Sequence, residues 1–330
     1  MEERTPTAEV DELIAEIAAG SHDAYMRFRK YSWLALGYVT LVILWGAFVR
    51  ATGSGAGCGN HWPMCNGEVL PRAPSVATLI ELTHRVTSGL AAIAVLVQLV
   101  WSRRALERGH PARRAAALGA AFMVTEVLVG AGIVLFEYVA ENKSIGRAWW
   151  MALHLVNTFL LIGAMALTAH YARARSKSVG RGSAYVLALG VAGTLGTLFT
   201  GASGAVAALG DTLFPAKGLA AALAEDLSPS AHLLVRLRLV HPFAAIATAV
   251  LLLTIRWLLA SRVPTARVVW HGVALRVTVV AQVVLGFLNM MMLAPTAMQL
   301  LHLLLADAVW IAFVLFIATA LDESAEPVAP

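Results

Sequence analysis

Apolar residues fall into long uninterrupted runs, at roughly Tyr31–Arg50, Leu79–Trp101, Ala115–Phe136, Trp149–Tyr171, Ala184–Leu209, His232–Leu259, Val268–Leu293 and Ala297–Leu321. Each run holds about 20 residues or more, enough at about 1.5 Å per residue to cross a hydrocarbon core of roughly 30 Å. The pattern predicts eight transmembrane helices. Ahead of them, Ala8–Lys30 mixes acidic and apolar residues at helical spacing and ends in Arg27, Arg29 and Lys30. That segment reads as a cytoplasmic or interfacial helix over residues 1–30, and the first apolar run reads as a span rather than a cleavable leader.

Polar positions between the runs set the expected orientation. Arg103, Arg104, Arg108, Arg113 and Arg114 separate the second and third runs, Arg173, Arg175, Lys177 and Arg181 the fourth and fifth, and Arg262 and Arg267 the sixth and seventh. Basic residues near helix ends are retained on the cytoplasmic side, so both termini are expected inside a plasma membrane. The loops near residues 53–78, 138–148 and 210–230 then face outward. The net charge of +5 lies in these short clusters, which argues for topology and against a nucleic-acid partner. With 59% hydrophobic and 14% charged residues and a mean hydropathy of +0.72, a soluble domain is excluded.

An internal repeat of four spans is legible. THRVTSGLAAIAVLV (Thr83–Val97) echoes VHPFAAIATAVLLL (Val240–Leu253), TEVLVGAGIVL (Thr125–Leu135) echoes AQVVLGFLNMM (Ala281–Met291), and the run from Ala152 echoes that from Leu300. TGSGAG (Thr52–Gly57) is likewise echoed by TGASGA (Thr200–Ala205). The predicted fold is therefore an all-α polytopic membrane protein with two tandem four-helix bundles, residues 31–171 and 184–321. A cytoplasmic linker, 172–183, joins them, and a tail, 322–330, follows. The Gly-rich stretch Gly193–Ala205 is expected to pack helices closely within the chain, with packing between chains in a homo-oligomer as the alternative.

Aligning the halves places His84 opposite His241 and His154 opposite His302, all toward the outer side of the membrane. Neutral imidazole is the usual axial ligand of haem iron, and a helix bundle offering two from facing helices can clamp a porphyrin; a hydrogen bond to a neighbouring helix is the plainer role for any one of them. Three residues before His84 stands Glu81, on the same helical face, whereas three residues before His241 stands Arg238. A carboxylate at membrane depth is costly and points to function, unless it pairs with Arg85. This asymmetry suggests a reactive N-terminal site and a holding or electron-transfer C-terminal site. Arg236 and Arg238 can meet haem propionates or snorkel to headgroups, and Arg85 is a further candidate for propionate contact. His22, His61, His110, His170, His232 and His271 are expected to be exposed or interfacial.

Cys58 and Cys65, the only cysteines, lie in the first outer loop, where an oxidising environment favours a disulfide. With His61 they make too few ligands, at the wrong spacing, for a structural zinc site. Whether the disulfide is structural or exchanges thiols is open.

These residues, GCGNHWPMCNG (Gly57–Gly67), ELTHR (Glu81–Arg85), ALHL (Ala152–Leu155), VHPF (Val240–Phe243) and LLHLLLAD (Leu300–Asp307), resemble the haem A synthases over all eight spans. The resemblance implies an integral membrane oxidoreductase converting the C8 methyl of haem O to a formyl group by successive hydroxylations, with oxygen from water, for cytochrome oxidase. It implies that His84 and His154 serve the haem O substrate with Glu81 as the essential acid, and that His241 and His302 ligate a haem b. Partners implied are haem O synthase and cytochrome oxidase assembly factors. Some relatives carry a second cysteine pair in the C-terminal half, absent between Leu209 and His232 here. Alternatives from other classes are a dihaem cytochrome b-type quinol electron carrier and a haem transporter.

Overall fold

The computed structural model describes residues 6–173 and 183–324, with side chains from Asp23 onward. Most of the predicted linker, with Arg175, Lys177 and Arg181, and the tail from residue 325 lie outside the described residues. Among the described residues, eight helices are long and apolar enough to cross a membrane. They are carried by α1 (Pro6–Ala51), α2 (Val76–Ala105), α3 (Pro111–Leu135), α4 (Ile145–Tyr171), α5 (Ala184–Leu213), the pair α7 (Leu233–Leu237) and α8 (Val240–Arg262), α9 (Ala266–Met291) and α10 (Thr296–Ser324). A short helix, α6 (Leu219–Leu227), sits in the loop after α5.

Local chemistry sets several boundaries. Ser75, Ser144 and Thr265 accept hydrogen bonds from the backbone N–H groups of Thr78, Arg147 and Val268, satisfying donors that the first turns of α2, α4 and α9 would otherwise leave orphaned. The expected N-terminal helix and the first span are one continuous helix, α1, with no break at Lys30. The sixth apolar run is instead interrupted between α7 and α8. Pro242, in the first turn of α8, lacks an N–H and its ring clashes with the carbonyl four residues back, so the helix breaks at Arg238–Leu239.

α1 and α2 are sewn together by a seven-residue periodicity. Tyr31, Tyr38 and Trp45 donate to the carbonyls of Ala94, Thr87 and Ile80 at 2.8, 3.0 and 3.1 Å. Donors ascend as acceptors descend in equal steps, the signature of an antiparallel heptad seam. α5 and α8 use smaller residues: Thr200 and Thr248 share a hydrogen bond of 2.8 Å, and Thr248 reaches the Gly196 carbonyl at 3.1 Å.

α4 is the central helix, with 61% of its apolar window buried against at most 39% in any other span. It meets α5 and α10 of the second half as well as α1 and α3. Trp310 donates to the Phe159 carbonyl at 2.6 Å and stacks on its ring at an interplanar angle of 12°. Near the other end of α1, the Arg50 guanidinium reaches Ala208 O (2.8 Å), Thr212 Oγ1 (2.6 Å) and Gln299 Oε1 (2.7 Å), tying α1 to α5 and α10. The glycine-rich face of α5 packs inside the chain: a Cβ at Gly193 would lie 2.2 Å from Phe313 Cζ.

One sequence echo does not correspond in space. Thr52–Gly57 lie beyond the end of α1, whereas Thr200–Ala205 lie inside α5. Both strings are rich in Gly and Ser, and composition alone made them look equivalent.

Candidate functional site

The cysteine loop is seated directly on the start of α2. Cys58 and Cys65 form a disulfide and are fully buried. Gly57 permits this seat, because a Cβ there would fall 2.4 Å from the Ala77 backbone; Thr78 Oγ1 donates to the Gly57 carbonyl at 2.8 Å. Glu81 Oε2 accepts the Cys58 N–H at 2.8 Å, while Oε1 receives Arg85 at 2.5 Å. Arg85 extends the clamp to the carbonyls of His61 (2.6 Å) and Met64 (2.7 Å). The ion pair with Arg85 is thus present, and it serves to hold the disulfide loop above His84. Arg85 divides its donors between Glu81 on α2 and the carbonyls of that loop.

The corresponding position in the second half carries the opposite charge and does similar work. Arg238, buried at 8% exposure, donates to Asp226 Oδ1 (2.8 Å), Asp211 Oδ1 (3.3 Å) and the Phe214 carbonyl (3.2 Å). It pins the end of α5 and the helix α6 against α7. Its partners, like those of Arg85, are protein groups.

Four imidazoles hang below these clamps, each half-buried and each backed by a glycine on a neighbouring helix. A Cβ at Gly46, Gly204 or Gly286 would stand 2.8, 2.9 and 2.9 Å from Cε1 of His84, His241 and His302. At Gly130 it would stand 3.8 Å from His154 Cε1. The Nδ1 atoms of His84, His154 and His302 are buried without a hydrogen-bond partner, whereas His241 Nδ1 contacts the Thr200 carbonyl at 3.2 Å and Ser203 Oγ at 3.3 Å.

The His241 and His302 ring centroids are 6.2 Å apart with planes at 87°. Two metal–nitrogen bonds of about 2 Å and two imidazole half-widths of about 1 Å span roughly the same distance. The pair therefore fits a bis-imidazole haem, in which the macrocycle supplies the other donors. Among the described residues no group of three or more His, Cys, Asp or Glu side chains is placed to hold a bare metal ion.

A model of the COX15-CtaA family, described as cytochrome oxidase assembly protein, matches residues 29–314. The chain belongs to this family. It is 48% identical over 305 residues, 92% of its length, to a Thermus thermophilus protein named protoheme IX farnesyltransferase, of which the match covers 50%. It is 34% identical over 143 residues to the heme A synthase of Alkalihalophilus pseudofirmus, 43% of this chain and 46% of that one. To the heme A synthase of Halalkalibacterium halodurans it is 40% identical over 98 residues, 30% of this chain and 33% of that one. The chain spans about half the length of the first curated relatives it matches.

Residue patterns had not singled out Glu126 and Gln282. Glu126 Oε1 accepts from Thr158 Oγ1 at 2.5 Å, Oε2 accepts from Asn157 Nδ2 at 2.6 Å, and Oε1 lies 3.5 Å from His154 Nδ1. Gln282 Nε2 lies 3.3 Å from His302 Nε2. The signal was available: each residue stands four positions before the glycine that backs a site histidine. Two of the remaining histidines are buried rather than exposed: His170 is 1% exposed and pairs with Asp322 at 3.1 Å, and His110, 5% exposed, caps α3 by accepting from Ala112. His232 is exposed, as expected, and caps α7 by accepting from Leu234.

Proposed function

We propose that the chain acts in haem A biosynthesis as a haem A synthase, oxidising the methyl group of haem O to a formyl group. His84 and His154 hold the substrate, and His241 and His302 hold a resident haem b. The observation carrying this reading is the set of four glycine-backed imidazoles, with a 6.2 Å separation in the second pair, in a member of a cytochrome oxidase assembly family. The farnesyltransferase name belongs to a relative of which only half is matched and is not carried over. A prenyl transfer to protohaem is instead the class of reaction that must supply this substrate.

When bound, haem b supplies one-electron redox capacity. The chain contributes position and exclusion. The glycines let the imidazoles lie against neighbouring helix backbones, which fixes the direction from which each ligand approaches iron. The disulfide loop, held by Glu81 and Arg85, covers the outer end of α2 above His84 and limits access of bulk water. Glu81, 3% exposed, is the acid nearest His84 in sequence. Release from Arg85 would free its Oε1 to accept a proton, or to stabilise positive charge, at the methyl group as electrons are withdrawn from it to an external oxidant. The plasma membrane, with cysteine loop and haem sites outward, remains the expected location.

The test is pigment analysis of the full chain purified in detergent after expression with a haem O supply. Haem A or its hydroxylated intermediate, lost in Glu81→Ala and His84→Ala, supports the synthase. Haem b alone, unchanged with haem O supply, favours an electron carrier.

A further inference from the structure

The two histidine pairs differ in one side chain that no sequence motif had drawn attention to. On α3, four residues before Gly130, stands Glu126; on α9, four residues before Gly286, stands Gln282. Both glycines back a candidate ligand histidine, His154 and His302 respectively, but the two side chains meet different ring atoms: Glu126 Oε1 lies 3.5 Å from His154 Nδ1, and Gln282 Nε2 lies 3.3 Å from His302 Nε2.

Glu126 is fastened rather than loose. Its carboxylate accepts from Asn157 Nδ2 at 2.6 Å and Thr158 Oγ1 at 2.5 Å, both on α4 one turn after His154. Asn157 is itself fixed by Thr125 Oγ1 (2.6 Å) and by donation to the Phe122 carbonyl (2.9 Å). This network leaves Oε1 3.5 Å from His154 Nδ1, a nitrogen that is buried and has no hydrogen-bond partner. That separation exceeds an ordinary hydrogen bond by only a few tenths of an ångström. A carboxylate accepting from Nδ1–H fixes the tautomer in which Nε2 is the free donor to a metal, and strengthens that donor.

Resting on the haem reading above, we infer that Glu126 is a positioning residue of the His84/His154 site: it orients His154 and makes it the more electron-rich ligand. His302 has no such acceptor: its Nδ1 is buried without a partner, and Gln282 lies on its Nε2 side. The carboxylate favours the ferric state at the N-terminal pair, and no carboxylate does so at His302. The two sites are thereby set at different potentials by a side chain of α3, independently of Glu81.

The test is a potentiometric titration of the haems in the purified full chain, carried through Glu126→Gln and Glu126→Asp. Glu126→Gln is expected to raise the midpoint potential of the His84/His154 haem and weaken its retention by about tenfold or more, with Glu126→Asp restoring part of both and the His241/His302 haem unmoved. Glu126→Asp, which keeps the charge, reads the potential should the first variant fold poorly. An unchanged potential of the His84/His154 haem in these variants, with haem still bound, overturns the role of Glu126 and leaves the haem reading standing. A wild-type chain that takes up no haem at His84 and His154 overturns both.

Discussion

Glu81 and Arg238 each stand three residues before a candidate ligand histidine, with opposite charge, yet each clamps its own loop. Glu81 gathers a backbone N–H and Arg85 to seat the disulfide loop, and Arg238 gathers Asp226, Asp211 and a carbonyl to seat α6. Charge reversal at an equivalent position has therefore preserved an architectural task by inverting every partner. The lesson is that chemical asymmetry between the halves need not lie where the charges differ most visibly. It lies also one layer down, at Glu126 and Gln282, where the groups face imidazoles rather than loops.

The largest expected effect comes from breaking the clamp that is all protein. Arg238→Met leaves Asp226 and Asp211 without their cation; because both carboxylates keep some solvent contact, the loss falls below the roughly 3–5 kcal/mol of a fully buried pair. Thermal unfolding in detergent should fall sharply, whereas Glu81→Gln, which keeps an acceptor for Cys58 N–H, should fall less. Equal losses would mean that the clamps are not equivalent in the way described. Next come the glycines. Ala at Gly46, Gly204 or Gly286 must push an imidazole aside, at an overpacking cost of about 1–3 kcal/mol, and should lower haem retention at the adjoining pair. Gly130→Ala should be tolerated, since its Cβ would meet His154 at ordinary contact distance, 3.8 Å. Spectroscopic haem content of the four variants gives the answer.

A smaller and more local effect is predicted for Cys58→Ser with Cys65→Ser. Opening a loop with a sequence separation of 7 loses about 2–3 kcal/mol of chain-entropy stabilisation. The damage should fall on product formation and on His84, leaving the His241/His302 haem intact. The smallest concerns the two helix seams: Tyr38→Phe on α1 and Thr248→Val on α8 should each cost about 0.6 kcal/mol, the usual worth of an interhelical hydrogen bond in a membrane. A much larger loss at one of them, measured by thermal shift, would show that seam to be structurally dominant.

The eight spans were legible because membrane helices advertise themselves through length and hydropathy, as Val76–Ala105 and Thr296–Ser324 do. The disulfide was legible from two cysteines in one short loop. The break at Arg238–Leu239 was not read, although Pro242 announced it, because hydropathy runs smoothly through it. The partners of Arg85 and Arg238, Met64 and Asp226 among them, were not legible, because they are fixed by loop folding that no periodicity encodes. Glu126 was passed over because it lies within a continuous apolar string, TEVLVGAG. Only the fold brings it beside Asn157, Thr158 and His154.

The most direct test of the central claim, that two glycine-backed histidine pairs hold two different haems, is extracted-pigment analysis of wild type beside His84→Ala and His302→Ala, each expressed with a haem O supply. The account predicts haem b with haem A or its hydroxylated intermediate in wild type, loss of the oxidised product with haem b retained in His84→Ala, and loss of haem b in His302→Ala. The same pigment and amount in all three proteins would contradict it.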